Sequence, residues 1–332
     1  MKKYTIQPGE NKLKASSMTT AALKANEVRI KVRAVSLNYR DILNLRYANE
    51  EVVPFSDGSG EVVEIGDEVK NLKVGDRVVG LFFPNWIDGS INQEIQQVAR
   101  GGGTTDGMLA HETVGHEDSF IIFPDHLNYE EAATLPCAAL TAWHAMFEHA
   151  QPLQKSQTVL LQGTGGVSIF ALQLAAAHGI STIVTSSSNE KLEQARSLGA
   201  THTINYRETP DWEQEVHSLT GGKGVDMVLE VGGAGTLEKS MTAVKVGGVI
   251  SLIGVLSGLD AKVNPLPIMG KSLRVFGIYV GSKAMQTNLH KALSAHNIHP
   301  IIDTTFTFES AVFAYDYQAS GKHMGKVVIK VT

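Results

Sequence analysis

Cysteine is nearly absent: Cys137 is the only one in 332 residues. A lone thiol excludes an internal disulfide and any zinc site built from several cysteines, and it fits a cytoplasmic address. An excess of positive charge is missing too, because 29 Lys and Arg face 34 Asp and Glu for a net charge of −5. Nothing electrostatic therefore points to nucleic acid or an anionic membrane as partner. No apolar run approaches the roughly 18 residues of a membrane span. The opening "MKKYTIQPGE" lacks the apolar core of a signal peptide. Repeats of fixed period and low-complexity tracts are also lacking. The length suffices for two domains, since one core rarely grows past roughly 250 residues.

Two textures alternate along the chain. Up to residue 123, short alternating runs such as "VRIKVRAVSL" (28–37) are broken by glycines, as in an antiparallel, barrel-like β domain. The stretch 85–107 has few apolar residues and reads as a surface loop. From 124, the apolar strands "TVLLQ" (158–162), "STIVT" (181–185), "HTIN" (202–205), "VDMVLE" (225–230), "GVISLIG" (248–254) and "LRVFGIYV" (273–280) alternate with helical patterns, the last at 283–296. That order predicts a parallel sheet with helices on both faces. The tail from 298 reads as a helix and a last strand that rejoin the β domain. The expected organisation is a β domain of 1–123 and 298–332 with an inserted α/β domain of 124–297.

The strongest local signal is "TVLLQGTGGVSIFALQLAAAHG" (158–179). A strand runs into Gly163, Thr164, Gly165, Gly166 and Val167 and then into a helix. Gly163 allows the tight turn, and Gly165 and Gly166 let the backbone approach a pyrophosphate at the positive helix end. Val167, Phe170, Ala171, Leu174 and Ala175 fall on one helical face. Ser168 replaces the third glycine of the dinucleotide fingerprint, a small-for-small change. The strand before, the helix after and the further βα units turn a weak motif into a dinucleotide site.

The next strand ends in Thr185, Ser186, Ser187 and Ser188, where NAD sites carry a carboxylate for the ribose 2′-hydroxyl. Hydroxyl groups there suit a 2′-phosphate, and Lys191 follows, so the sequence favours NADPH over NADH. The alternative is that these serines only cap the next helix.

With "NYRDILNLR" (38–46), "PFSDGSGEVVEIGDEVKNLKVGDRVVG" (54–80), "AATLPCAALTAWHAM" (132–146), "GTGGVS", "SLGATHTINYRE" (197–208), "GVDMVLEVGG" (224–233) and the late "GKVVIKV" (325–331), the chain resembles the medium-chain dehydrogenase/reductases, and within them the zinc-free quinone oxidoreductases. The resemblance implies a GroES-like catalytic domain plus a Rossmann domain with the substrate in the cleft between them, NADPH, and a homodimer made by joining Rossmann sheets. It places Tyr206 and Lys191 at the 2′-phosphate, and Asn38 and Thr141 at the nicotinamide. Gly232, Ile253, Gly254 and Val255 would flank the nicotinamide ribose. Lys326 is a candidate for the cofactor phosphates, or else a solvated strand end.

Zinc members of that superfamily use a cysteine, a histidine with a neighbouring glutamate, and a further cysteine or aspartate. Here Asn38 and Asp57 stand at the first two positions, Gly58 replaces the glutamate, and 85–107 has no cysteine for a structural zinc. Two hard oxygens without a third ligand make a poor zinc site, so no metal is expected. The Gly115-His116-Glu117 triplet mimics the metal motif without its glycines, and His111 and His116 read as exposed strand or loop residues. Cys137 reads as a buried small residue.

Without metal, only hydrogen bonds stabilise an oxyanion, which suits a quinone or α,β-unsaturated carbonyl whose conjugation spreads the incoming charge. Asn38 is the candidate oxyanion donor, and Tyr39 or Tyr47 a proton source. Asp41 is expected to brace its loop, and Asp57 to pair with Arg40 or hold its turn. The expected activity is NADPH-dependent reduction of a small-molecule quinone or enone. A metal-independent alcohol or aldehyde oxidoreductase, and an NADPH-binding protein with a non-catalytic role, are the alternatives.

Overall fold

The computed structural model describes residues 1–149, 151–258, 260 and 262–331. The short apolar runs become β1 (Lys2–Gln7), β2 (Lys12–Ser17), β3 (Glu27–Ser36), β4 (Asp57–Ile65), β5 (Arg77–Gly80), β6 (Glu112–His116) and β7 (Phe120–Ile122). Next come β8 (Thr158–Gln162), β9 (Ser181–Ser186), β10 (His202–Asn205), β11 (Val225–Glu230), β12 (Val244–Leu252) and β13 (Arg274–Gly277), followed by β14 (Ile302–Thr307) and β15 (Lys326–Lys330).

The chain packs as two units, Met1–Leu140 with Val280–Thr332, and Thr141–Tyr279. These compact units divide at 140/141 and 279/280. Segments 124–140 and 280–297 pack with the β unit, the second through helix Lys283–His296, which is anchored there. Lys283 Nζ donates to Asp118 Oδ1 at 3.0 Å, and the buried His290 places Nδ1 3.1 Å from the Ile122 carbonyl.

In the β unit the strands run in the order β14-β15-β3-β4-β5-β7, with β6 paired to β3. Neighbours are antiparallel except β14 and β15, which are parallel. The tail thus holds one strand more than expected: "IDTTFT" alternates half-buried and exposed residues and adds β14 at the edge. The parallel step to β15 is made through helix Ala311–Ala319. Val28, Ile30, Val32, Phe55, Phe120 and Tyr315 share one core cluster, each contributing roughly 1.5–3 kcal/mol by burial.

The turn into β4 is strained and clamped. Phe55 has φ +72°, a left-handed conformation costing a non-glycine residue about 1–2 kcal/mol. It is held by its ring, 5.2 Å from that of Tyr315, and by Met108 N donating to Phe55 O at 2.9 Å. Gly107 lies so close that a Cβ there would be 2.2 Å from the Pro54 carbonyl. Segment 85–107 is therefore more than a surface loop. Trp86, Ile95, Ala99 and Arg100 are buried, and Asn92 caps a short helix, Gln93–Gln97. Its few apolar residues are widely spaced anchors, so no periodicity betrays them.

The second unit is a parallel sheet in the order β10-β9-β8-β11-β12-β13. The order reverses between β8 and β11, and ligands of open α/β sheets bind outside the carboxyl ends of strands at such a point. β12 starts earlier than expected, at Val244, and β13 is shorter than the apolar run 273–280. Helix Gly166–His178 also buries Ile169 and Leu172, so it is packed over a wider arc than one face. Among the described residues no helix is long and apolar enough to cross a membrane.

Candidate functional site

In the β unit, Asn38 caps the helix Tyr39–Tyr47 from an extended conformation, and its backbone N–H donates to Asp41 Oδ2 at 2.7 Å. Asp41 is buried, and burial lifts its carboxyl from 3.8 to about 7, opposed by the Arg40 charge and the Asn38 N–H. Asp57 opens β4 with 0% exposure and accepts from Ser56 Oγ at 2.8 Å. Burial raises its pKa as well, and Lys326, the Asn38 amide and Ser56 hold it back.

Lys326, at the start of β15, is only 3% exposed. Its ammonium donates to the Leu37 carbonyl and to Asn38 Oδ1, both at 2.6 Å, and lies 3.9 Å from Asp57 Oδ2. Lys326 is therefore no solvated strand end: its donors go to Leu37 and Asn38. Among the described residues Asp41 Oδ1 is buried without a hydrogen-bond partner, and the buried Asn38 amide faces the Asp57 carboxylate. Two features were invisible in the sequence. The buried Tyr315 hydroxyl has no hydrogen-bond partner among the described residues, and burial with the nearby Asp41 charge raises its pKa. Cys137 keeps part of its surface accessible, yet desolvation lifts its thiol pKa, with Asp57 adding to the shift.

Other expected partners separate. Arg40 does not pair with Asp57: its Nη1 donates to the Arg100 carbonyl at 2.7 Å and its guanidinium lies 4.5 Å from the Phe82 ring centre. Tyr39 and Tyr47 are 42% and 72% exposed and stand at opposite ends of one helix. About 12 Å of helix separates them, so only Tyr39 adjoins Asn38. His116 is exposed and its Nδ1 accepts from Asp118 N at 3.1 Å, while His111 packs on Phe308 with ring centres 4.8 Å apart. Glu117 accepts from the backbone N–H groups of Lys70 and Asn71, so the Gly-His-Glu triplet builds a turn.

Among the described residues no group of three or more His, Cys, Asp or Glu is placed to hold a metal ion. The donors at Asn38 and Asp57 do not fit a zinc ion. The one ligating atom of Asn38 is taken by an ammonium, and the free oxygen of Asp57 faces the same positive charge.

In the parallel unit, β8 is followed by Gly163, whose φ of +72° suits glycine. A Cβ added at Gly163 or Gly165 would meet no protein atom within 4 Å, so these glycines leave open space. Gly165 caps helix Gly166–His178 without a side-chain bond, leaving the first amides of the helix for an anion. The cradle of Gly163, Thr164, Gly165, Gly166 and Val167 fits a dinucleotide pyrophosphate. Ser168 is buried and donates to the Gln162 carbonyl at 2.7 Å, which ties the helix to the strand.

At the end of β9 serines act as a helix cap. Ser188 caps helix Asn189–Ser197, accepting from Lys191 N at 3.4 Å, and Ser186 Oγ accepts from Ser188 N at 3.3 Å. Ser187 is half-buried and takes no part in the cap. Tyr206 N donates to the Ser186 carbonyl at 3.1 Å, which sets the exposed Tyr206 ring beside the serines.

Gly232, Ile253, Gly254 and Val255 converge at the ends of β11 and β12 around a residue the sequence reading missed, Glu230. Its Oε1 accepts from Gly232 N at 2.8 Å, Gly233 N at 2.9 Å and Thr236 Oγ1 at 2.5 Å. Its Oε2 accepts from Gln162 Nε2 at 2.8 Å and from Ser240 Oγ. Ile253 N donates to the Glu230 carbonyl at 2.8 Å. The available signal was a charged residue closing an apolar strand in "VDMVLE". Thr141 is buried at the start of this unit.

These features agree with known proteins. Residues 24–125 match the alcohol dehydrogenase GroES-like domain, and 166–295 the zinc-binding dehydrogenase model. A zinc-type alcohol dehydrogenase-like protein of Schizosaccharomyces pombe is 42% identical, over 93% of this chain and 92% of its own. A candidate alcohol dehydrogenase from Sinorhizobium meliloti 1021 superposes with a TM-score of 0.93 at 38% identity, covering 99% of this chain and 98% of that chain. The quinone oxidoreductase from Coxiella burnetii gives 0.80 at 27% identity, covering 100% and 99%.

The chain belongs to the medium-chain dehydrogenase/reductase superfamily, with a GroES-like domain and a Rossmann domain. It is an oxidoreductase by family.

Proposed function

We propose that this protein is an NADPH-dependent reductase of quinones or α,β-unsaturated carbonyls that works without a metal. The observation that carries this reading is that Asn38 and Asp57, at the positions where zinc relatives place ligands, are engaged by the buried Lys326 ammonium. An amide donor is a weak electrophile. It suffices for an acceptor whose conjugation already delocalises charge, and it falls short for an isolated alcohol that needs a Lewis acid.

The Gly163–Val167 cradle would hold the pyrophosphate, Ser186, Ser187, Lys191 and Tyr206 the 2′-phosphate, and Gly232 with Ile253, Gly254 and Val255 the nicotinamide ribose. Thr141 would stand at the nicotinamide. Bound NADPH supplies a hydride. Asn38 donates a hydrogen bond to the acceptor oxygen as negative charge gathers on it. Tyr39, next to Asn38 and exposed, is the better placed of the two tyrosines to pass a proton.

The acceptor is a small molecule, and the partner is a second copy of the chain. β13 is an edge strand of the parallel sheet with Val275 exposed, and pairing two such edges would join the sheets of two copies.

NADPH consumption measured with chelator present, across quinones, enones and saturated aldehydes, tests the reading. Turnover confined to quinones and enones supports it. The second reading is a metal-independent alcohol or aldehyde oxidoreductase, which saturated aldehydes would reveal. The names of the fission-yeast and Sinorhizobium relatives favour its substrate class, while the former's "zinc-type" does not favour its freedom from metal. NADPH binding without turnover would point to a non-catalytic role.

A further inference from the structure

Within the β unit a cavity of about 430 Å³ lies between segment 84–106 and residues 113–119, which form β6 and the turn behind it. That volume is in the range of small-molecule sites. Arg100 forms part of the wall although it is only 3% exposed. Its Nε donates to the Leu81 carbonyl at 3.2 Å, and its guanidinium carbon lies 5.1 Å from the Phe120 ring centre. Among the described residues its two Nη groups have no hydrogen-bond partner, and neither is closed off by protein.

Packing does not need those two groups. The backbone already anchors the segment, with Arg100 N donating to the Phe82 carbonyl at 2.9 Å and Arg100 O accepting from Arg40 Nη1 at 2.7 Å. A buried cation without a close counter-charge is costly. Burial accordingly pushes the guanidinium down from 12.5 to about 10, and Asp106 opposes the shift. The neighbouring carboxylates are engaged elsewhere. Asp106 Oδ1 accepts from Val53 N at 2.9 Å, while Asp118 pairs with Lys283 at 3.0 Å and lies 3.7 Å from His116 Nδ1.

With its Nε edge taken, Arg100 offers the end-on pair of Nη groups, a fork that matches the two oxygens of a carboxylate. Pro84, Ile87 and Val114 supply hydrocarbon surface in the same wall. Asp106 and Asp118 would repel a second negative charge, which disfavours a phosphate dianion. We propose that this cavity binds a small organic monocarboxylate, with its oxygens on the Arg100 Nη groups and its hydrocarbon body against Ile87. Such a site is independent of which acceptor the protein reduces.

Isothermal titration calorimetry of the intact chain with benzoate, benzamide and inorganic phosphate tests the site, with and without NADP⁺ and with folding followed by thermal melting. Benzoate should bind at a single saturable site. Benzamide, of similar shape but uncharged, and phosphate should both bind more weakly. Saturating NADP⁺ should leave benzoate affinity unchanged, because the glycine cradle belongs to the other unit. Arg100→Met should lower benzoate affinity about 10–100-fold, the loss expected for hydrogen bonds to a charged group. That change also removes the bond to Leu81, so Ile87→Glu is the second variant. Ile87 is 43% exposed, so this variant should melt like the parent while its carboxylate weakens benzoate binding about 3–10-fold. Asp106→Asn, which keeps an oxygen for Val53 N, should tighten it.

Absence of saturable benzoate binding, equal affinity for benzamide, or tighter binding of phosphate would each overturn the proposal. So would competition with NADP⁺, parental affinity in a folded Arg100→Met or in Ile87→Glu, or weaker binding in a folded Asp106→Asn.

Discussion

Gln162 and Glu230 join the carboxyl ends of two adjacent parallel strands, β8 and β11: Gln162 Nε2 donates to Glu230 Oε2 at 2.8 Å across 68 residues of sequence. Gln162 Oε1 in turn accepts from Val231 N at 3.1 Å. The two side chains fix the backbone of the loop after β11 at the switch point of the sheet.

Glu230→Gln puts an NH₂ where every neighbour of one carboxylate oxygen is a donor. A buried network broken in this way loses roughly 3–5 kcal/mol. The variant should melt at lower temperature, and where it stays folded it should bind NADPH more weakly. Thermal melting and fluorescence titration read the two effects. A variant with unchanged melting and binding would show that the loop does not depend on Glu230.

Ser187→Asp places a carboxylate at the end of β9, where NAD-type sites carry theirs. Repulsion of a 2′-phosphate should lower kcat/KM for NADPH roughly 10–100-fold while NADH is affected less. The ratio of the two specificity constants is the measurement. A ratio that stays put would place the 2′ position elsewhere.

The elevated Asp41 pKa, about 7 against an ordinary 3.8, fixes the sign of a pH effect. Between these values the folded state binds more protons than the unfolded one, so this group's contribution to stability falls as pH rises through about 7. Asp41→Asn mimics the protonated form. Its stability should match the parent near pH 4 and exceed it by a few kcal/mol near pH 8 in urea unfolding. A difference that does not grow with pH would contradict the assignment.

Legibility followed the range of the interactions. Helix Lys283–His296 and strands β10 and β11 lie where local periodicity puts them, and the glycine cradle follows from chemistry within a few residues. The partners of Lys326 do not. Its ammonium meets Asn38 only because β15 pairs with β3, whose end leads into Leu37 and Asn38, so a contact 288 residues apart decides its role. Glu230 was hidden for a similar reason, as its partners come from β8, the following loop and helix Leu237–Ala243. Segment 85–107 was misread because isolated anchors such as Trp86 make no pattern.

Edge pairing through β13 predicts a simple disruption. Val275 is exposed on that strand, and Val275→Lys adds the charge that natural edge strands use to refuse partners. Sedimentation should show a dimer for the parent and a shift to monomer for the variant. Identical profiles would exclude this edge as the contact.

The 289 residues that separate Leu37 from its bond to Lys326 also order events during synthesis. When β3 and β4 leave the ribosome, Asp57 has no ammonium to oppose it and β3 lacks β15, its neighbour in the sheet. The whole Rossmann unit must be translated before both arrive together. Until then the nascent chain carries the whole glycine turn after β8, while Asn38 still lacks the ammonium that holds its side-chain oxygen.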